Sequence, residues 1–177
     1  MPNLLSTEEF QIVSMAIPAD LASGATVGAW VDMRGYGRLS IVVLKAAGTA
    51  GENVNFTLQQ ATDKNGGSAK ALAFNPHGVD YKRGTLMASI GGTFAGVQQF
   101  ANTALAAGAT IWTDATSSNQ QGIYVFDVLP NMLDSANGFN HVNILLPDVG
   151  TGAQLACVIG ILSEPRYRSG PLPSAIA

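Results

Sequence analysis

The chain has 177 residues, a formal net charge of −3 and 12% charged residues, about half the ~25% usual in globular domains. That length suits one domain with a sizeable core. Nine thinly spread Lys and Arg exclude the basic stripe a nucleic-acid partner needs, and the longest apolar stretches stop well short of the ~18 residues of a membrane helix.

The opening "MPNLLSTEEF" has neither a basic start nor a long apolar stretch, so it does not read as a signal peptide, and the expectation is synthesis in a cytoplasm. Within it Ser6 and Glu9 have capping-box spacing for a short helix. Strand signals then dominate. Phe10–Ile17 is apolar and ends at Pro18, and Ala25–Met33 follows the turn-like "DLASG". Gly37–Ala46 ("GRLSIVVLKA") alternates and then becomes continuously apolar, which predicts a strand buried on both faces. In "NVNFTLQQ" Val54, Phe56 and Leu58 alternate with Asn53, Asn55, Thr57 and Gln59, a half-buried strand whose wet face carries amides and hydroxyls in place of ions. "DKNGG" closes it, with Asn65-Gly66 as the turn.

Lys70–Phe74 and Gly78–Gly84 read as short strands, Gln98–Ala107 as a short helix, and Ala109–Asp114 as a strand. Gln121–Pro130 is a further strand, followed by one helical turn over Pro130–Gly138, with Pro at its start and Gly at its end. His141–Val149 alternates, and Gly152–Leu162 reads as a buried strand. About eight strands with regular turn signals and almost no helix predict an all-β chain: a single β-sandwich, jelly-roll-like, over residues 10–163. Residues 1–9 and the proline-bearing 164–177 lie outside that pattern and are expected to be extended terminal arms. Leu4 and Leu5 in the first, and Tyr167, Pro171, Leu172, Pro173 and Ile176 in the second, are the candidate interface residues.

Signs of chemistry are few. The two histidines, His77 and His141, have no second histidine or cysteine at ligand spacing. The single Cys157 sits in the apolar run "AQLACVIGIL", which predicts a buried inert thiol. No nucleophile elbow, phosphate-binding loop or dinucleotide fingerprint occurs, and "DKNGG" lacks the terminal glutamate of a calcium loop. The expectation is therefore no catalytic residue, no metal and no cofactor. Low charge leaves surface that is cheap to desolvate, which favours contact with proteins. Trp30 and Trp112 lie within strand-like runs and read as core or interface.

One combination of motifs is more specific. It comprises "ADLASGATVGAWVDMRGYGRLSIVVLKAAGTAG", "FTLQQATDKNGGSAKAL" and "SANGFNHVNILLPDVGTGAQLACVIGILSEPRY", in that order over most of residues 19–168. It resembles small structural proteins of tailed bacteriophages, in particular head decoration, or cement, proteins. The resemblance implies a β-rich, non-enzymatic unit on the capsid exterior of a virion. Its implied partners are the major capsid protein and further copies of itself, often as a trimer, with no nucleic acid and no membrane. The other readings are a phage tail or fibre module that is structural or receptor-binding, and a carbohydrate-binding β-sandwich.

Overall fold

The computed structural model describes residues 9–84 and 100–166. They form an all-β sandwich of two antiparallel sheets. The strands are β1 (Gln11–Asp20), β2 (Thr26–Val27), β3 (Val31–Asp32), β4 (Tyr36–Lys45), β5 (Asn55–Ala61) and β6 (Lys70–Ala71) in the first half. In the second half they are β7 (Val79–Gly84), β8 (Ala101–Thr103), β9 (Ile111–Thr113), β10 (Gln121–Val128), β11 (His141–Leu146) and β12 (Leu155–Pro165). Sheet A has the order β1-β12-β4-β10-β7-β8. Sheet B has the order β2-β11-β5-β6, with β3 also on β11 and β9 also on β5.

The pairing is nested. β1 pairs with β12, β2 and β3 with β11, β4 with β10, and β5 with β6. The chain is thus one long antiparallel ribbon folded back on itself, with successive pairs alternating between the sheets. β7, β8 and β9 are additions to that ribbon: β7 and β8 widen sheet A, and β9 lies on β5.

The core is where the two inner faces meet. Leu39, Ile41 and Val43 of β4, Tyr124, Phe126 and Val128 of β10, and Val158 and Leu162 of β12 face it from sheet A. Phe56 and Leu58 of β5 and Val142, Ile144 and Leu146 of β11 face it from sheet B. Phe56 is the hub across the gap, its ring centroid 4.9 Å from Tyr124, 5.1 Å from Phe126 and 5.4 Å from Trp112. The alternation read at Val54–Leu58 is therefore the sandwich's own inside–outside pattern. Its amide side, Asn55, Thr57 and Gln59, lies half-buried on the outer face of sheet B. There Thr113 donates a hydrogen bond to Asn55, and on the same face Asn143 donates one to the carbonyl of Gly28.

Several expectations change. The segment 25–33 is two short strands on β11, because after Gly28 N bonds Ile144 O of that strand Ala29 N turns away to bond Met15 O of β1. The helix expected over 98–107 is absent from its described part: Ala101–Thr103 is a strand on β7, with Asp80 opposite Asn102. The single turn over 130–138 is two 3₁₀ turns, Pro130–Met132 and Ser135–Asn137, and Gly138 ends the second with φ +86°. The turn at Asn65-Gly66 is present, with Gly66 at φ +81°. A side chain there would press on the Trp30 indole 2.9 Å away. β12 runs on to Pro165, opposite Tyr36, so the sheet extends two residues into the segment expected to be the C-terminal arm. The candidate interface residues Leu4, Leu5, Tyr167, Pro171, Leu172, Pro173 and Ile176 lie outside the described residues.

Candidate interaction surface

The largest departure from the sequence reading concerns β4 and β12. The first was expected to be buried on both faces and the second to be a buried strand, and both alternate instead. Their continuous apolar runs place one set of side chains in the core and the other on the outer face of sheet A. The registers align that outer set into rows across the strands. Ile161, Ser40 and Asp127 form the first row, continued by Ile12 on β1. Ile159, Val42, Val125 and Asp80 form the second. Cys157, Leu44, Ile123 and Lys82 form the third.

A fourth level follows, where Ala46 N bonds Leu155 O beside Gln121 at the start of β10. Ala46 is too short to fill the gap. The result is an apolar dip of ≈390 Å³ among Pro18, Leu44, Ile123, Leu155 and Cys157.

Ile12 is 58% exposed, Leu155 54% and Leu44 38%, which is unusual for large aliphatic side chains on adjoining strands. Singly such residues need no explanation, but a contiguous apolar block rimmed by polar groups marks an interaction surface. The rim is built in detail at one end. Ser40 Oγ donates to Asp127 Oδ1 at 2.5 Å, and Arg38 lies 3.7 Å from Asp127 and 3.5 Å from Glu164. Glu164 adopts φ +57° immediately before Pro165, a conformation that L-residues disfavour, and Arg166 N bonds Gly35 O just beyond it. On the β7 side Asp80 accepts from Asn102 at 2.9 Å, and Lys82 lies over the Phe100 ring at 4.5 Å.

Beneath one end of this face is a buried polar layer. Lys45, 4% exposed, donates to the carbonyls of Ala46, Ser117 and Gln120 at 3.0, 2.8 and 2.8 Å, and burial pushes its pKa down to about 8. Asp114, also 4% exposed, accepts from Arg83 at 2.5 and 2.6 Å and from the Tyr124 hydroxyl at 3.2 Å. Burial in turn raises the Tyr124 phenol well above its usual range. These groups tie the loop over residues 114–120 to the ends of β4, β7 and β10, and so hold the rim of the dip. Reading the sequence alone missed both, because Lys45 and Asp114 stand in it as isolated charges.

The residues singled out as chemical candidates are dispersed. His77 lies in the turn before β7, 3.2 Å from Asp80, whereas His141 starts β11 in the other sheet and is 8% exposed. Cys157 is not deeply buried as expected. It is half-exposed on the outer face of sheet A, because the phase of β12 puts Ala156 and Val158 inside. Trp112 packs against the core, and Trp30 is half-buried beside Gly66. Among the described residues no three His, Cys, Asp or Glu converge as metal ligands, and no helix is long and apolar enough to cross a membrane.

No family model and no curated protein matches the chain. Among solved structures it is similar to the SPBc2 prophage-derived protein YomS, at 12% identity and a TM-score of 0.41, over 87% of this chain and 92% of that one. It is also similar to a chain of the infectious bursal disease virus Gx strain, at 12% identity and a TM-score of 0.24, over 89% of this chain and 40% of that one. A third similarity is to the same virus's VP2 subviral particle, at 13% identity and a TM-score of 0.23, over 89% and 41%. Likenesses this distant carry no functional information.

Proposed function

We propose that this chain is a non-enzymatic structural protein of a phage virion, held to protein neighbours through the outer face of sheet A. The observation that carries the reading is that face: a contiguous apolar block with a polar rim, on a six-stranded sheet, in a chain of low charge. The motif order that resembles head decoration proteins supplies the finer reading, a cement unit on the outside of the major capsid lattice that also associates with its own copies. The non-enzymatic part is supported by the separation of His77, beside Asp80 at the β7 border, from Cys157 on β12 and from His141 in sheet B: among the described residues these groups do not meet as nucleophile, base and orienting group. A repeated lattice multiplies a modest contact into firm attachment, so a face of this size suits the role.

The test is to add purified protein to undecorated capsid shells and measure occupancy beside the folding of each variant. Wild-type protein saturates the shells, while Leu44→Asp and chains lacking residues 1–9 or 167–177 bind less and keep their β circular dichroism. Absence of wild-type binding, with imaging of intact particles placing the chain in the tail, would replace this reading by the tail or fibre one.

A further inference from the structure

The outer face of sheet A carries a more specific message in its registers. We propose that this face packs against the same face of a second copy of this chain, about a two-fold axis that lies in the face and crosses the strands. The proposal rests on the reading of the face as a protein contact surface and names its occupant.

The argument begins with an axis placed between the Ile159–Val42–Val125 row and the Cys157–Leu44–Ile123 row. Such an axis keeps each strand over its own counterpart and reverses its direction. It therefore sets Val42 against Leu44, Val125 against Ile123 and Ile159 against Cys157 of the other copy, each contact occurring twice. Every one of these is apolar on apolar. At the β7 border the same operation sets Asp80 of one copy against Lys82 of the other, again twice. The two residues are neighbours on one strand, opposite Val125 and Ile123 in the β10 register, and project to the same side.

Self-complementarity of this kind, residue i on j and j on i, is what a two-fold contact requires. An axis running along the strands, centred on β4, would instead put Ile161 against Asp127, an apolar group on a carboxylate. The registers thus favour one orientation. Antiparallel overlay of the two sheets falls in the aligned class of sheet packing, at a spacing of ~10 Å.

The size is adequate. Five strands from β1 to β7 span about 19 Å, and four levels two residues apart span about 20 Å. With side-chain margins that is roughly 500 Å² of plan area per copy. A pair then buries on the order of 1,000 Å², the lower bound for a specific interface. The mixed signs around the rim fit a second copy as well: Arg38 and Lys82 stand among Asp80, Asp127 and Glu164, so each copy offers the other both signs with an excess of a single negative charge.

The test uses the full chain and sedimentation equilibrium from micromolar to millimolar concentration, with circular dichroism as the folding control. Wild-type protein dimerises and Leu44→Asp is monomeric. Asp80→Lys weakens the dimer roughly tenfold by placing two like-charged pairs on the rim. The double variant Asp80→Lys with Lys82→Asp restores it, which a merely structural role for either residue would not do. A monomeric wild-type protein, a trimer, or a dimer insensitive to Leu44→Asp would overturn the proposal. If Leu44→Asp leaves self-association unchanged or there is none, yet abolishes shell binding, the face meets a capsid protein and only the two-fold pairing fails. If Leu44→Asp changes neither, the reading of this face as a contact surface fails with it.

Discussion

Phe56 is the sharpest test of the sandwich. It is fully buried, and its ring meets Tyr124, Phe126 and Trp112 at centroid distances of 4.9–5.4 Å. Truncation to Ala removes the ring from contacts with both sheets and leaves a cavity that backbone strands cannot close, a loss of about 4 kcal/mol. Phe56→Asp adds a second cost. A carboxylate there has no partner, so its pKa rises toward ~8–9, some four to five units, which at 1.36 kcal/mol per unit is about 6 kcal/mol. The two together are about 10 kcal/mol, as large as the whole stability of an ordinary domain.

Phe56→Ala therefore folds with a lowered urea midpoint, whereas Phe56→Asp is unfolded at pH 7. The sign with pH follows from linkage. The folded state holds its proton more tightly than the unfolded one, so the charge penalty grows as pH rises from ~4 and vanishes below it. At pH 4 Phe56→Asp should approach Phe56→Ala. Urea titrations followed by circular dichroism at pH 4 and 7 measure all of this. A Phe56→Asp protein folded at pH 7 within 2 kcal/mol of wild type would refute the placement of Phe56 between the sheets.

The buried Lys45 makes stability rise with pH from about 8 toward 10, because its pKa is lowered in the folded chain and the unfolded chain binds the extra proton in that window. Above ~10 the Tyr124 phenol, raised by burial, reverses the slope, since the unfolded chain loses that proton first. Lys45→Met should lack the rise between pH 8 and 10 in thermal melts; an unchanged slope would remove Lys45 as its source. Asp114→Ala, which leaves Arg83 and the Tyr124 hydroxyl without their acceptor, should cost about 3 kcal/mol by urea denaturation, and a loss under 1 kcal/mol would show the network to be dispensable. Chelator should leave the melting temperature unchanged and elemental analysis should find no stoichiometric metal; a chelator-induced fall would reveal a structural ion.

The strand at Asn55–Ala61 was legible because Val54 to Gln59 alternate strictly, and alternation carries its own phase. The turn at Asn65-Gly66 was legible because its chemistry is local. The apolar runs of β4 and β12 carry no phase. Nothing in "LSIVVL" or "LACVIGIL" says which residues point inward, so two-sided burial was the natural reading and Cys157 was placed inside with the rest. In the fold Leu39, Ile41 and Val43 take the core and Val42 and Leu44 the surface, because the β10 and β12 registers leave β4 no other phase.

The same limit applies to Ala101–Thr103. Its own residues favour no element, and pairing with β7 decides for strand.

Composition and periodicity by themselves thus determined an all-β chain, the inward face of its alternating strands and a surface poor in charge. Only the tertiary structure decided the nested pairing of β1 with β12, the buried partners of Lys45 and Asp114, and the apolar outer face of sheet A. The reason is common to all three. Each depends on which distant strand lies alongside, and a ladder's register is fixed by partners up to a whole chain length away, not by neighbours in sequence.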